Sequence, residues 1–282
     1  MPPLPQGLKK QLTAPKVQER LGPAVRLACS HNQVFKKAWW EGVPKERQPA
    51  LLVAYPFTPN FFKHRPGYSY RDWVMDSGAF SAFNSGMEIK LQDYIDCCKR
   101  LMAEDPTLTE VYSLDVIGDW QASLRNTEEM WRQGVEAIPC YHFNEPWSAL
   151  LGMAKDYPKI ALGGVAAKAG KMKWAQQCFA RIWPKKVHGF AFGTPRALEA
   201  LPFHSVDSTN WELRPGRFGI WDCFGHGARI PARGADSHSP QAIKLVVDYY
   251  LELEVQAQRR WHKEMLEICK PPVPKRSSLF GD

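Results

Sequence analysis

The sequence predicts a single-domain α/β protein, a (β/α)8 barrel of the TIM type with a loop-rich insertion after its eighth strand. Three observations carry this. Eight short β-branched or apolar runs recur along 282 residues, bounded by turn formers. Amphipathic stretches separate most of them, an alternation that fits parallel strands joined by crossover helices. The length also suits a barrel, which takes roughly 250 residues as one domain.

The runs lie at 24–29, 50–55, 73–76, 111–115, 136–141, 159–163, 187–192 and 203–207. Helical stretches cover 33–40, 89–103, 126–134, 146–155, 170–182 and 195–200. Ser239-Pro240, a cap followed by a first-turn proline, opens a long helix over 239–268 that closes the ring. The connection from Pro56 to Arg71, rich in aromatics and proline, reads as a loop, and 208–238 is the Gly/Arg/Trp-rich insertion. The Pro/Lys/Ser-rich ends, 1–20 and 271–282, read as flexible flanks of a barrel spanning 21–270.

No run approaches the roughly 20 apolar residues of a membrane span. The opening Met-Pro-Pro-Leu-Pro lacks the apolar core of a signal peptide. Seven cysteines without pairing spacing suit free thiols in a reducing cytoplasm. A net charge of +8 favours a polyanionic partner, although many basic proteins never touch nucleic acid.

In a barrel the strand C-termini share one face. Asp76, Asp115 and Asp207 each end an apolar run, a costly place for a charge unless the charge is used. Each alone reads equally well as a helix or turn cap; three on one face point to a site. Ser77 and Gly78 after Asp76 allow close backbone approach to a ligand, and Phe80 and Phe83 are either walls for a planar base or core residues. Gly163-Gly164 ends the sixth run, and Phe192-Gly193-Thr194-Pro195 reads as a structural helix start. His142 and Asn144 offer polar groups to a base edge, whereas Cys140 reads as a small buried residue.

Four motifs carry a resemblance: Val74-Met75-Asp76-Ser77-Gly78-Ala79-Phe80, Ser113-Leu114-Asp115, Ala161-Leu162-Gly163-Gly164-Val165 and Ser205-Val206-Asp207-Ser208. Across roughly residues 50–212 the chain resembles the tRNA-guanine transglycosylases, and more closely the phage and bacterial DNA-guanine transglycosylases that insert 7-deazaguanines into DNA. The resemblance implies Asp207 as nucleophile, Asp76 as general acid/base and Asp115 as the residue that recognises the base. It implies that Gly164 and Val165 offer backbone to the incoming base, and it puts His142 or Asn144 where the family usually has a glutamine. The implied partners are DNA and a 7-deazaguanine such as preQ0, with an accessory protein as a further candidate, in the cytoplasm of a bacterium or of a phage's bacterial host.

The implied chemistry needs no cofactor. The tRNA enzymes carry a Cys-x-Cys-x2-Cys…His zinc cluster after the nucleophile, and this sequence lacks that pattern. Cys223, His226 and His238, with Cys269 or His262, are candidate zinc ligands, but their spacing matches no recognised finger. Arg214, Arg217, Arg229 and Arg233 in the same insertion suit phosphates instead. The competing readings are a tRNA enzyme of the same chemistry, a nucleoside hydrolase and a non-catalytic nucleic-acid-binding subunit.

Overall fold

Eight parallel strands form the barrel: β1 (Ala24–Ala28), β2 (Ala50–Ala54), β3 (Asp72–Asp76), β4 (Leu108–Val111), β5 (Cys140–His142), β6 (Lys159–Gly163), β7 (Lys186–Gly189) and β8 (Ser205–Ser208). A computed structural model describes residues 21–165, 168–212, 220–222, 229–231 and 239–270. The strand order is β4-β3-β2-β1-β8-β7-β6-β5. A parallel bridge between Tyr112 and Ile138 joins the two ends. Ser113 N donates to Ile138 O at 2.9 Å and Ile138 N to Val111 O at 2.9 Å, so the ring closes just beyond β4 and just before β5. A separate antiparallel pair, β9 (Ile220–Asp222) and β10 (Arg229–Pro231), lies in the insertion after β8.

The outer layer comprises α1 (Thr58–His64), α2 (Ala79–Ser85), α3 (Leu91–Glu104), α4 (Trp120–Arg132), α5 (Trp147–Asp156), α6 (Lys171–Ile182), α7 (Pro195–Ala200), α8 (Pro240–Arg260) and α9 (His262–Ile268). Helix α3 buries Tyr94, Ile95, Cys98 and Leu101, the three- and four-residue spacing of a core-facing stripe. The caps expected at Thr194 and Ser239 form: each side chain accepts from the backbone N–H three residues on.

Several expected boundaries differ. The stretch 33–40 makes two short 3-10 helices instead of one α-helix, and the Pro56 to Arg71 connection holds α1 between two 3-10 turns instead of an open loop. The helix expected at 126–134 starts at Trp120, where Asp119 accepts from Ala122 N at 2.9 Å. The closing helix breaks at Trp261 into α8 and α9. Strand β4 begins earlier than expected and stops at Val111, so Asp115 lies beyond the strand.

Inside the ring the side chains stack in tiers. A charged floor pairs Arg26 with Asp72 at 2.6 Å and Lys159 with both Glu110 oxygens at 2.7 Å. Above it an apolar tier holds Leu52, Val74, Tyr112, Ile138, Cys140 and Ala161. Arg71 bridges Asp72 at 2.8 Å to Glu254 of α8 at 2.6 Å, and Glu254 also accepts from Val25 N at 2.7 Å. A buried network thus ties the closing helix to the barrel floor.

Candidate active site

Three aspartates crown the barrel. Asp76 ends β3, and its Oδ2 accepts from Gly78 N at 3.2 Å. Gly78 has φ +74°, and a Cβ there would lie 2.5 Å from Pro56 Cδ, so glycine is required twice over. Asp207, 7% exposed in β8, accepts from Ala191 N at 2.9 Å through Oδ1. Ala191 delivers that N–H from a left-handed backbone, φ +59°, in the loop after β7, an arrangement that places local strain beside the carboxylate. Gly193 N donates to the Asp207 carbonyl at 2.8 Å, and Lys171 at the start of α6 donates to Ala191 O at 3.0 Å.

Burial, followed by the charges of Asp115 and Asp207, pushes Asp76 up to about 7. Burial pushes Asp207 up to about 7 as well, against the opposing pull of the Ala191 N–H and Lys171. Burial alone raises Asp207, whereas the Asp207 charge adds to the burial of Asp76, and near neutral pH each carboxyl is about half protonated.

Asp115 accepts from His142 Nε2 at 3.1 Å, and His142 Nδ1 donates to Glu145 at 2.8 Å. Burial opposes the imidazolium, but its hydrogen bonds to the Asp115 and Glu145 carboxylates outweigh it and raise His142 above its ordinary value. Both ring nitrogens are therefore engaged, and His142 reaches the site through Asp115. The other Asp115 oxygen, Oδ1, is buried without a partner among the described residues. Gly163 and Gly164 leave room for this cluster: a Cβ on Gly163 would lie 2.6 Å from Cys140 Sγ, and one on Gly164 3.2 Å from His142 Cβ. Gly164 also needs its φ of +68°. Val165 is buried just beyond, as is Ser77 behind Asp76.

Donor atoms of Asp115, Cys140 and His142 lie within 4.8 Å of one another. Burial pushes the Cys140 thiol up to about 12, and the His142 nitrogens are committed to carboxylates, so this group is built as a hydrogen-bonded chain. The sequence-based zinc candidates Cys223, His226 and His238 lie outside the described residues, as do Arg214, Arg217 and Arg233 and the two chain ends.

The structure thus gathers Asp76, Asp115, His142, Gly163, Gly164 and Asp207 at one end of the barrel. Phe80 and Phe83 are not core residues: they stand 64% and 65% exposed on α2, next to Asp76 in the chain. Sequence reasoning missed Glu145, Lys171, Ala191 and His188. His188 is buried in β7 with Nε2 3.5 Å from Asp207 Oδ1. Its signal was a histidine inside the otherwise apolar run 187–192.

No family model matches the chain, and no curated protein sequence does. Among solved structures it is similar to the carboxyl transferase domain of Rhizobium etli pyruvate carboxylase with pyruvate, at 12% identity and a TM-score of 0.46, over 87% of this chain and 49% of that one. The same domain with 3-hydroxypyruvate aligns at 11% identity and a TM-score of 0.43, over 83% of this chain and 49% of that one. The chain therefore spans about half the length of the structures it matches. Among the described residues no helix is long and apolar enough to cross a membrane.

Proposed function

We propose that the chain is a DNA-guanine transglycosylase, exchanging guanine for a 7-deazaguanine such as preQ0 through a glycosyl-aspartate intermediate. The observation that carries this reading is that Asp76 and Asp207 end β3 and β8 at the same barrel mouth, both pushed up to about 7. Carboxyls near 7 suit a nucleophile that must be ionised and an acid that must be protonated at neutral pH. Asp207 Oδ2 attacks C1′ as the C1′–N9 bond breaks, and Asp76 gives its proton to the departing guanine. In the second half the Asp76 carboxylate takes the proton of the incoming base, whose nitrogen attacks C1′ and expels Asp207. Asp115 Oδ1, buried and without a partner among the described residues, suits the N–H groups of the amino-pyrimidinone edge shared by guanine and 7-deazaguanines. The exposed Phe80 and Phe83 suit stacking by an unstacked nucleotide, and the net charge of +8 suits its phosphates.

Purified protein incubated with labelled preQ0 and duplex DNA should place label in DNA, and Asp207→Asn should abolish this while keeping the fold. Normal incorporation by that variant refutes the nucleophile assignment. Label in tRNA alone selects the tRNA reading, release of free base without an incoming one selects a hydrolase, and DNA binding without exchange selects a non-catalytic subunit.

A further inference from the structure

Beneath Asp207 a chain of buried polar groups runs down to the charged floor. Lys159 Nζ donates to Glu110 and, at 3.0 Å, to Ser205 Oγ, which lies 2.8 Å from His188 Nδ1. Among the described residues His188 Nε2 has no hydrogen-bond partner, and it lies 3.5 Å from Asp207 Oδ1. The imidazole is fully buried, flanked by the Tyr112 ring at 4.8 Å and Phe190 at 4.6 Å. Among the described residues this is the polar thread that crosses the apolar tier and ends at a carboxylate of the proposed site.

The protons on this thread are ordered by chemistry. Lys159 only donates, so Ser205 Oγ accepts from it and keeps one hydrogen and one lone pair for His188 Nδ1; the Asp207 carboxylate beyond Nε2 selects the hydrogen. Burial and the positive charges of Lys159 and Arg26 push His188 well below its ordinary value, against the pull of Glu110, and keep the ring neutral. A neutral ring whose Nδ1 accepts carries its hydrogen on Nε2, facing Asp207. The opposite tautomer would set a bare nitrogen lone pair against a carboxylate.

We propose that His188 is a positioning residue for Asp207, its Nε2–H donating to Oδ1 and holding that carboxylate ionised and aimed. The role assigned to Asp207 rests on the transglycosylase reading; the hydrogen bond does not. At 3.5 Å the bond is poised, and contacts of this kind tighten when substrate binds. Ala191 N supplies the second donor to the same oxygen, which leaves Oδ2 for C1′. The charged and titratable groups around the pair are Asp76 on β3, Lys171 on α6 and Tyr112 beyond β4, with Lys159, Glu110 and Arg26 below.

Nitrogen-15 NMR of labelled protein, with the His188 signals assigned by their loss in His188→Gln, should show a bare Nδ1 and a protonated Nε2 at pH 8. Carbon-13 NMR of the Asp207 carboxyl, assigned with Asp207→Asn, should titrate about one pH unit higher in His188→Leu. It should return in His188→Gln, whose amide reaches the Nε2 position, and stay shifted in His188→Asn, which reaches only Nδ1 and keeps the site polar should the leucine variant not fold. If exchange activity is present, its acid limb moves with the same variants, and kcat falls about tenfold to a hundredfold at pH 7 with KM nearly unchanged. An Nδ1–H tautomer, an imidazolium, or an Asp207 titration indifferent to His188→Leu and His188→Asn overturns the proposal. Absence of base exchange in the unmodified protein would remove the transglycosylase reading and leave the NMR result standing.

Discussion

Asp207→Asn should stabilise the protein, increasingly so as pH rises. The carboxyl is 7% exposed and its folded-state value is about 7, against an ordinary 3.8. Below pH 3.8 both folded and unfolded chains hold the proton, and the group has no effect on the pH dependence. Between 3.8 and 7 the unfolded chain releases its proton while the folded chain retains it, so stability falls with rising pH at about 1.4 kcal/mol per unit. Above 7 both forms are ionised and the cost levels off near 4 kcal/mol, an order-of-magnitude ceiling. Asparagine keeps an oxygen to accept from Ala191 N and carries no charge, so it removes this cost without leaving that donor unpaired. The gain of the variant over the parent should therefore grow by about 2.5 kcal/mol between pH 5 and pH 8. Urea unfolding at pH 4, 5, 7 and 8 measures it. A difference that is flat with pH, or a variant less stable than the parent at pH 8, would show that Asp207 ionises freely in the folded protein.

The proposed exchange should have a bell-shaped dependence of kcat/KM on pH, with its optimum within about one unit of 7: below it Asp207 is protonated, above it Asp76 has lost its proton. A rate still rising at pH 9 removes Asp76 as the acid. Gly193→Ala would put a Cβ 2.6 Å from the Asp207 carbonyl oxygen and 2.7 Å from Ser208 Cβ; because the first of these is backbone, it should cost about 1–3 kcal/mol in thermal unfolding and displace Asp207. Gly152→Ala, inside α5 with no described residue within 4 Å of the new Cβ, should instead raise stability by about 0.5–1 kcal/mol, and a loss there would mean that α5 is frayed. Glu254→Leu leaves Arg71 and Val25 N without their shared carboxylate and should cost about 3–5 kcal/mol in urea unfolding, whereas a neutral result would place α8 off the barrel floor.

What the sequence reveals here depends on how local each signal is. Asp76 and Asp207 are legible because a carboxylate at the end of an apolar run breaks a pattern within five residues. Asp115 was found for the same reason, although β4 ends four residues earlier and the ring closes through Tyr112 instead. The short 3-10 helices at 33–39 escaped because three residues carry no usable period.

The barrel interior was the least legible part. Strands buried on both faces ordinarily read as continuous apolar runs, and these were read that way. Yet their inward positions carry Arg26, Asp72, Glu110, Lys159, His188 and Ser205, every second residue of strands whose other positions are mostly apolar. The alternation was present in the sequence; what it lacked was the partner. Glu110 meets Lys159 across 49 residues and Lys159 meets Ser205 across 46, and only closure of the ring brings them together. A lone charge in a strand therefore looks like an outward-facing residue until the topology shows it has nowhere to go but the lumen. Once there, it must be neutralised by a second charge, and the leftover donor of that pair must be satisfied in turn. Lys159 satisfies its third hydrogen on Ser205, Ser205 passes its own to His188, and the imidazole has Asp207 left to face. The proton order proposed at Asp207 thus follows from the need to bury an ion pair at the opposite end of the barrel.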